Sequence, residues 1–390
     1  MTASHRPAKD SRRRSRGQFN SPMEKNRMQE ISWWRTSIGD EEIARVSEAI
    51  SAEHLSQGPV TAKFESALSD VLGVPYVMSA PSGSAALFMA MLAIGVGPGD
   101  EVIVPNMTWI ASAHGAALLG AKIVLADTVA DRPVLDVTRV RDLITPKTKA
   151  VIPTHLNGRA VDMEALNRLA DEHGFHVVED ACQALFSKNG NGYLGTQSDI
   201  GCFSLGVTKL ITTGQGGFVA TRSEETYRAL QAIKMHGVVT DEDGRETYLR
   251  PGFNFKYADI LAAIGLAQLD RVEERQEHVR AVHERYARVL ERLDYLEHIG
   301  VDVDGGELPL WVEVTTPYRE ALRSYLAGNG IETQRVHLHL DLAAHLAEPG
   351  IYPNSHRFSR EGLILPCGPS QPLENVDRVI GVLSDYRPPA

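Results

Sequence analysis

The most informative segment of the chain reads Gly201-Cys202-Phe203-Ser204-Leu205-Gly206-Val207-Thr208-Lys209, followed by Leu210-Ile211-Thr212-Thr213-Gly214-Gln215-Gly216-Gly217. An apolar, strand-like run ends in the hydroxyl of Ser204, and a short turn leads to Lys209 and a glycine-rich loop. A lysine held between a buried strand and such a loop can lose water and keep a low pKa. A neutral amine of this kind can form a Schiff base. The segment therefore predicts a chemically active lysine at position 209.

A second strand-like run, Val177-Val178-Glu179-Asp180, ends in a carboxylate. Together the two segments offer an amine for an aldehyde, an acid for a pyridine nitrogen and a hydroxyl for a phosphate. These are the groups that pyridoxal 5′-phosphate (PLP) requires from a protein. The sequence therefore indicates a PLP site that contains Lys209, Asp180 and Ser204.

Strand and helix signals alternate along the chain up to about residue 270. Helices of about ten residues between short apolar strands predict an α/β fold with a mostly parallel central sheet and helices on both faces. Ligands bind beyond the carboxyl ends of the strands in such sheets. Polar or aromatic residues follow the predicted strands there, and they are Asn106, Trp109, His155, Asp180 and Ser204.

The chain of 390 residues is long enough for two domains. We expect a large domain over residues 31–270 and a smaller C-terminal α/β domain over residues 271–390, opened by a long charged helix from Arg271 to Leu293. Residues 1–30 hold the basic run Arg12-Arg13-Arg14-Ser15-Arg16 and almost no apolar residues. This composition predicts a disordered tail, with a basic arm for anionic partners as the alternative.

Composition and charge argue against several classes of protein. The formal net charge of −10 argues against a nucleic-acid surface. The longest apolar stretch, residues 85–96, is too short to span a membrane. Three widely spaced cysteines (Cys182, Cys202 and Cys367) are typical of reduced thiols in a cytoplasmic protein.

Two further motifs suit a cofactor, although each has an ordinary structural explanation. Ser82-Gly83-Ser84-Ala85-Ala86 opens a buried helix, and backbone N–H groups at a helix start can bind phosphate. A plain helix cap explains the same residues. Trp109 follows a strand and could lie on a pyridine ring, or it could belong to the core.

Taken together, the motifs resemble the PLP-dependent sugar aminotransferases of the DegT/DnrJ/EryC1/StrS family. The resemblance runs from Ser37 to Pro366. The matching stretches are Ser56-Gln57-Gly58-Pro59, Ser82-Gly83-Ser84-Ala85-Ala86-Leu87, Thr108-Trp109-Ile110-Ala111-Ser112, Ile152-Pro153-Thr154-His155-Leu156-Asn157-Gly158, Glu179-Asp180-Ala181-Cys182-Gln183-Ala184, Ser198-Asp199-Ile200-Gly201-Cys202-Phe203-Ser204, Thr208-Lys209, Thr212-Thr213-Gly214-Gln215-Gly216-Gly217, Gly252-Phe253-Asn254-Phe255 and Ala262-Ala263-Ile264-Gly265-Leu266-Ala267-Gln268-Leu269.

The resemblance implies a fold-type-I PLP-dependent transferase and a role for each matching residue. Lys209 would hold the cofactor as a Schiff base and carry the proton, while Asp180 would pair with the pyridine nitrogen and keep it protonated. The remaining cofactor contacts would be Ser84 and Ala85 (phosphate), Ser204 (phosphate), Trp109 (stacking), Gln183 (ring hydroxyl) and Asn254 (phosphate of the neighbouring subunit). The loops around Gln57, Arg250 and His339 would contact the substrate.

The chain departs from the usual family pattern in four places: Gln215, Ser198, Lys256 and the run Leu205-Gly206-Val207. Gln215 replaces a common glutamate and so removes a charge near the lysine loop. None of the departures removes a reacting group. They indicate a less typical subfamily.

One cluster suggests a metal site. His337, His339 and Asp341 alternate with apolar residues, so on a strand they would share one face, with His345 nearby. A fourth ligand is missing, and the resemblance assigns His339 to the substrate. We therefore expect no metal.

The resemblance implies a homodimer with shared active sites that moves an amino group from an amino acid, L-glutamate, to a nucleotide-linked keto-deoxy sugar in a ping-pong cycle. A cyclitol or a free or phosphorylated keto sugar is the alternative acceptor. A sugar dehydratase would need the cofactor lysine replaced, and Lys209 argues against it. A non-catalytic PLP-binding regulator would have a damaged site, whereas Lys209, Asp180 and Gln183 are all present.

Overall fold

The computed structural model describes residues 30–241, 243–346 and 350–389. The predicted disordered tail lies outside the described residues except for Glu30. The helices are α1 (Asp40–Ser51), α2 (Pro59–Leu72), α3 (Gly83–Ala93), α4 (Ala111–Leu118), α5 (Val137–Leu143), α6 (Met163–His173), α7 (Glu224–Lys234), α8 (Asp259–Asp270), α9 (Val272–Leu290), α10 (Arg319–Gly328), α11 (Pro353–Glu361) and α12 (Leu373–Asp385). The strands are β1 (Tyr76–Ala80), β2 (Glu101–Pro105), β3 (Lys122–Ala126), β4 (Thr148–Val151), β5 (His176–Asp180), β6 (Lys188–Asn189), β7 (Gly192–Tyr193), β8 (Ile200–Ser204), β9 (Gly217–Thr221), β10 (Val238–Thr240), β11 (Glu246–Tyr248), β12 (Glu297–His298), β13 (Val312–Thr315), β14 (Gln334–Arg335) and β15 (Gly362–Leu365).

Seven strands form the central sheet in the order β1-β9-β8-β5-β4-β2-β3. The pairings of β3 with β2, β2 with β4, β4 with β5 and β5 with β8 are parallel. Only β9 runs antiparallel to its neighbours β8 and β1. The strands are apolar and buried because helices cover both faces. The prediction of a mostly parallel sheet between helices is confirmed.

The topology brings the ends of β5 and β8 side by side, with Asp180 opposite Cys202. The start of α3 packs against the same edge. A Cβ atom at Gly83 would lie 2.7 Å from Cys182 Sγ and 2.9 Å from Ser204 Cβ. Glycine is therefore required at position 83 for the helix to approach the sheet this closely.

A second, smaller sheet has the strand order β12-β13-β15-β14 and is antiparallel. Helices α9 and α12 pack against each other beside it. The first described residues also join this region, because the Ile31 N–H donates to the Gly330 carbonyl and the Arg35 N–H donates to the Cys367 carbonyl. The division into domains near residue 270 stays a prediction.

Elements with strong local signals lie where the sequence predicts them. In α6 the Asp162 carboxylate accepts a hydrogen bond from the Ala165 N–H at 2.9 Å, and Gly174 ends the helix with φ of 75°. The long charged helix is shorter than expected, since α9 ends at Leu290 and the chain turns before Leu293. Within the described ranges, every helix is too short or too polar to cross a membrane.

Candidate active site

A cavity of about 480 Å³ lies at the edge where β5, β8 and the start of α3 meet. Its volume is within the range of small-molecule sites. The predicted residues that line it are Ser84, Trp109, Asp180, Gln183, Ser204 and Lys209. Further lining residues that the sequence analysis did not assign to the site are Trp33, Gln334, Arg335, Trp311 and His337. The fold thus brings most of the predicted cofactor residues together.

Lys209 projects from a loop that joins the antiparallel strands β8 and β9. Backbone hydrogen bonds close this loop at its base, from the Leu205 N–H to the Gly216 carbonyl and from the Thr213 N–H to the Leu205 carbonyl. Burial lowers the pKa of the Lys209 amine below its ordinary value, although nearby Cys182 and Asp180 act in the opposite direction. A larger fraction of the amine is therefore neutral than for a lysine in water.

Asp180 ends β5 and is only 4% exposed. Its Oδ2 accepts a hydrogen bond from the Ser112 hydroxyl at 2.5 Å, and its Oδ1 accepts one from the Cys182 N–H at 3.1 Å. Two donors therefore fix the carboxylate at the cavity wall. Ser112 lies one helical turn after Trp109, and its part in holding Asp180 was missed because no local pattern links the two positions.

Gln183 lies between two polar groups. Its Oε1 accepts a hydrogen bond from the Asn157 N–H at 3.0 Å, and its Nε2 lies 2.8 Å from His337 Nε2. Asn157 itself is buried, with φ of 54°, and it exchanges side-chain hydrogen bonds with the backbone of Trp311. These contacts connect the central sheet to the smaller one.

The start of α3 and Ser204 form the polar end of the cavity. The Ser82 hydroxyl caps the helix by accepting a hydrogen bond from the Ala85 N–H at 3.1 Å. The Ala85 amide is therefore engaged within the helix cap, whereas Gly83 and Ser84 line the cavity. A helix start with a nearby hydroxyl suits a phosphate group.

Aromatic rings form the opposite walls. The Trp109 side chain is 59% exposed, unusually high for an indole, and lies at the cavity. The Trp311 ring lies 5.6 Å from the Lys209 Nζ. The buried Trp311 Nε1 has no hydrogen-bond partner among the described residues. The donor set and the aromatic walls fit PLP: an amine, a carboxylate, a phosphate cradle and a flat apolar face.

Besides Ala85, whose phosphate role stays a prediction, four predicted contacts lie outside the cavity lining. Gln57 and Asn254 are exposed on the surface of the chain, and Arg250 lines two other pockets, of about 640 and 870 Å³. His339 is absent from the cavity lining, and His337 occupies that lining instead. The substrate roles of Gln57, Arg250 and His339 and the phosphate role of Asn254 stay predictions. His155 is buried behind the cavity, paired with Glu179 at 2.9 Å.

The histidine cluster does not have the arrangement that the alternating pattern predicts. Strand β14 ends at Arg335, before the cluster begins. His339 and His356 both hydrogen-bond to the carboxylate of Asp341, and His337 lies apart from them in the cavity. In His339, Asp341 and His356, one possible ligand atom from each residue lies within 4.8 Å of those of the other two. Direct hydrogen bonds account for their contacts.

Comparison with known proteins identifies the class of protein. The model of the DegT/DnrJ/EryC1/StrS aminotransferase family matches residues 36–384. The chain is 33% identical over 341 residues to GDP-perosamine synthase of Caulobacter vibrioides, covering 84% of this chain and 90% of that protein. It is 31% identical over 368 residues to the spore coat polysaccharide biosynthesis protein SpsC of Bacillus subtilis, covering 89% of this chain and 95% of that protein.

A solved structure agrees with the sequence relatives. The aminotransferase TlmJ from Streptoalloteichus hindustanus superposes with a TM-score of 0.86 at 28% identity, covering 91% of this chain and 98% of that chain. The resemblance of the motifs, the cavity and these matches therefore agree. The chain belongs to the DegT/DnrJ/EryC1/StrS aminotransferase family, whose enzymes depend on PLP.

Proposed function

We propose that this aminotransferase moves an amino group from L-glutamate to a keto sugar attached to a nucleotide. The observation that carries the proposal is one cavity that contains both a lysine with a lowered pKa and a fixed, buried carboxylate. The nucleotide-linked acceptor is supported by the name of a relative, GDP-perosamine synthase, at 33% identity. We further propose that the enzyme works in the cytoplasm, where nucleotide sugars and glutamate would be its substrates.

Bound PLP supplies an aldehyde for the amine and an electron-poor ring that stabilises negative charge on the reacting carbon. Lys209 would provide the neutral amine that holds the aldehyde. Its Nζ, when free, would take a proton from the substrate carbon and return it. Its lowered pKa suits this exchange, because a base with a pKa closer to neutrality can both accept and donate.

The Asp180 carboxylate would lie beside the ring nitrogen of bound PLP and would favour the protonated form of that nitrogen. Ser112 and the Cys182 N–H donate to the carboxylate and stabilise its charge at this buried position. The start of α3 and Ser204 would bind the phosphate, and Trp109 would cover one face of the ring. Together these residues would hold the cofactor at its nitrogen, its phosphate and its face.

We also propose that a second copy of the chain completes the site through Asn254. The hairpin β10–β11 and the segment after it expose large apolar side chains close to that residue: Tyr248 is 81% exposed, Leu249 64% and Phe253 66%. Apolar side chains clustered at this density favour a protein interface. Sedimentation as a species of twice 42.7 kDa would support the dimer, and a monomer in the loaded enzyme would contradict it.

The test of function has two steps. Borohydride reduction of the PLP-loaded protein and peptide mapping should place a pyridoxyl tag on Lys209, and Lys209→Ala should lose both the tag and turnover. The protein is then converted to its amino form with L-glutamate and offered nucleotide-linked keto sugars, free and phosphorylated keto sugars and keto cyclitols. An aminated nucleotide sugar, identified by mass spectrometry, is the expected product. Amination of only the free sugars or cyclitols would refute the proposed acceptor, and a missing tag would refute the chemistry.

A further inference from the structure

His337 has a chemical environment that simple packing does not require. Its ring is partly buried between two indoles, with centroid distances of 5.6 Å to Trp109 and 5.6 Å to Trp311. It lines the same cavity as Lys209. An apolar aromatic residue would fill the space between two indoles at least as well, so the imidazole nitrogens need a separate explanation.

The hydrogen bonds of Gln183 define the state of that imidazole. The Asn157 N–H can only donate, so the amide atom of Gln183 that faces it is the oxygen. The amide atom that faces His337 is then the NH₂ group, which can only donate. His337 Nε2, at 2.8 Å, therefore accepts, and the imidazole carries its proton on Nδ1.

Asn157 is held in place and cannot move to accommodate a Gln183 side chain whose amide oxygen and NH₂ group have exchanged positions. It is buried, and its side chain is held by the carbonyl and N–H of Trp311 and by the Glu313 carboxylate at 2.9 Å. Flipping the Gln183 amide would set its NH₂ against the buried Asn157 N–H and leave that donor unpaired. A buried unpaired donor is costly, so the amide of Gln183 is held in one orientation.

The charge state of His337 is consistent with this arrangement. Burial, followed by the positive charge of Lys209, lowers the pKa of His337 to about 4. The ring is therefore neutral near pH 7, and Nε2 stays an acceptor. A protonated ring would present an N–H to the NH₂ of Gln183 and break the contact.

We propose that His337 is a positioning residue for Gln183: it accepts one N–H of the side-chain amide and so directs the other N–H toward the ring hydroxyl oxygen of bound PLP. An amide NH₂ has two donors, so both contacts can exist at once. This inference rests on the proposed role of Gln183 at the cofactor. His337 thereby extends the cofactor site into the segment after β14, which the smaller sheet holds in place.

The test uses three substitutions that distinguish a hydrogen-bond acceptor role of His337 from a role in packing alone. His337→Gln places an oxygen near the position of Nε2 and keeps an acceptor there. His337→Asn is equally polar but reaches only the position of Nδ1, and His337→Phe keeps the aromatic packing without an acceptor. The dissociation constant of PLP is measured by quenching of tryptophan fluorescence, and the pH at which the visible band of the lysine-linked cofactor titrates is measured alongside.

Loss of one neutral hydrogen bond predicts PLP binding about three- to tenfold weaker in His337→Phe and His337→Asn, with a shifted titration of the visible band. His337→Gln is expected to bind within about twofold of the wild type. If His337→Phe fails to fold, the Gln and Asn variants still decide the question. Equal binding by these two variants would overturn the proposal.

A double substitution checks that the effect passes through Gln183. Gln183→Leu weakens PLP binding by itself, and adding His337→Asn should weaken it no further. Additive losses would mean that His337 acts independently of Gln183 and would overturn the proposal. The pyridoxyl tag on wild-type Lys209 tests the proposed function separately: a tagged lysine with unaltered binding in the His337 variants refutes only the role of His337.

Discussion

Arg159 offers the sharpest test of how the two sheets are held together. Its guanidinium is fully buried and makes an ion pair with Glu313 at 2.6 Å. It also donates to the backbone carbonyls of Ile299 at 2.7 Å and Gly300 at 2.9 Å. Arg159→Met keeps most of the side-chain volume but removes every one of these donors.

The magnitude follows from what the substitution leaves behind. Glu313 is only 3% exposed. In Arg159→Met its carboxylate would lose the positive partner and would keep the neutral side-chain amide of Asn157 as a hydrogen-bond donor. Breaking a buried ion pair by removing one partner costs about 3–5 kcal/mol. Domains are stable by only about 5–15 kcal/mol, so Arg159→Met should lower the free energy of unfolding by a large fraction.

The assay is urea unfolding of the cofactor-free protein, followed by tryptophan fluorescence. Arg159→Met/Glu313→Leu removes both charges and should recover most of the loss, since the penalty comes from the unpaired carboxylate. Arg228→Met is the matched control, because Arg228 pairs with Glu224 on the exposed face of α7 and should cost less than about 0.5 kcal/mol. A loss below about 1 kcal/mol in Arg159→Met, or a double variant no more stable than the single one, would refute the reasoning.

Three further predictions concern the cavity and its surroundings. Asp180→Asn should retain PLP but slow release of the donor's α-hydrogen on the order of a hundredfold, because a charge beside the ring nitrogen is lost; proton NMR in D₂O measures the exchange, and a near-normal rate would contradict the role of Asp180. Gly83→Ala should destabilise the protein by about 1–3 kcal/mol and weaken PLP binding, since the new Cβ would lie 2.7 Å from the Cys182 sulfur; unchanged thermal unfolding would rule out the clash. Burial, followed by His298 and Arg159, lowers the pKa of His283 to about 3, against about 6.5 in the unfolded chain. Below pH 6.5 the unfolded chain therefore binds a proton at His283 that the folded chain does not bind, so the free energy of unfolding falls with pH down to about pH 3. The loss reaches about 2 kcal/mol at pH 5. His283→Phe should flatten this part of the pH profile, and an unchanged slope would argue against a neutral buried His283.

The sequence predicts much of the central sheet because its signals are local. Asp162 and Gly174 mark the ends of α6, and short apolar runs mark the parallel strands. Asp180 and Lys209 are recognisable because each follows such a run. Their meeting in one cavity then depends on the parallel pairing of β5 with β8, which the structure shows and which places the ends of both strands at the same edge of the sheet.

Other parts of the site depend on contacts between distant segments. Alternation around His337 suggests a strand, but β14 ends at Arg335 because it pairs with β15 over only two residues. His337 consequently enters the cavity while His339 turns toward Asp341. Trp311 reaches the site from the start of β13, and no pattern within its own segment indicates that contact.

The closed loop between β8 and β9 fixes the reacting amine to the central sheet, while Trp311, Arg335 and His337 reach the cavity from β14 and from the segments next to β13 and β14 in the other sheet. Two walls of the same cavity are therefore encoded in different portions of the gene. Mutations in the later portion can therefore change one wall of the cavity while the loop that carries the lysine keeps its sequence.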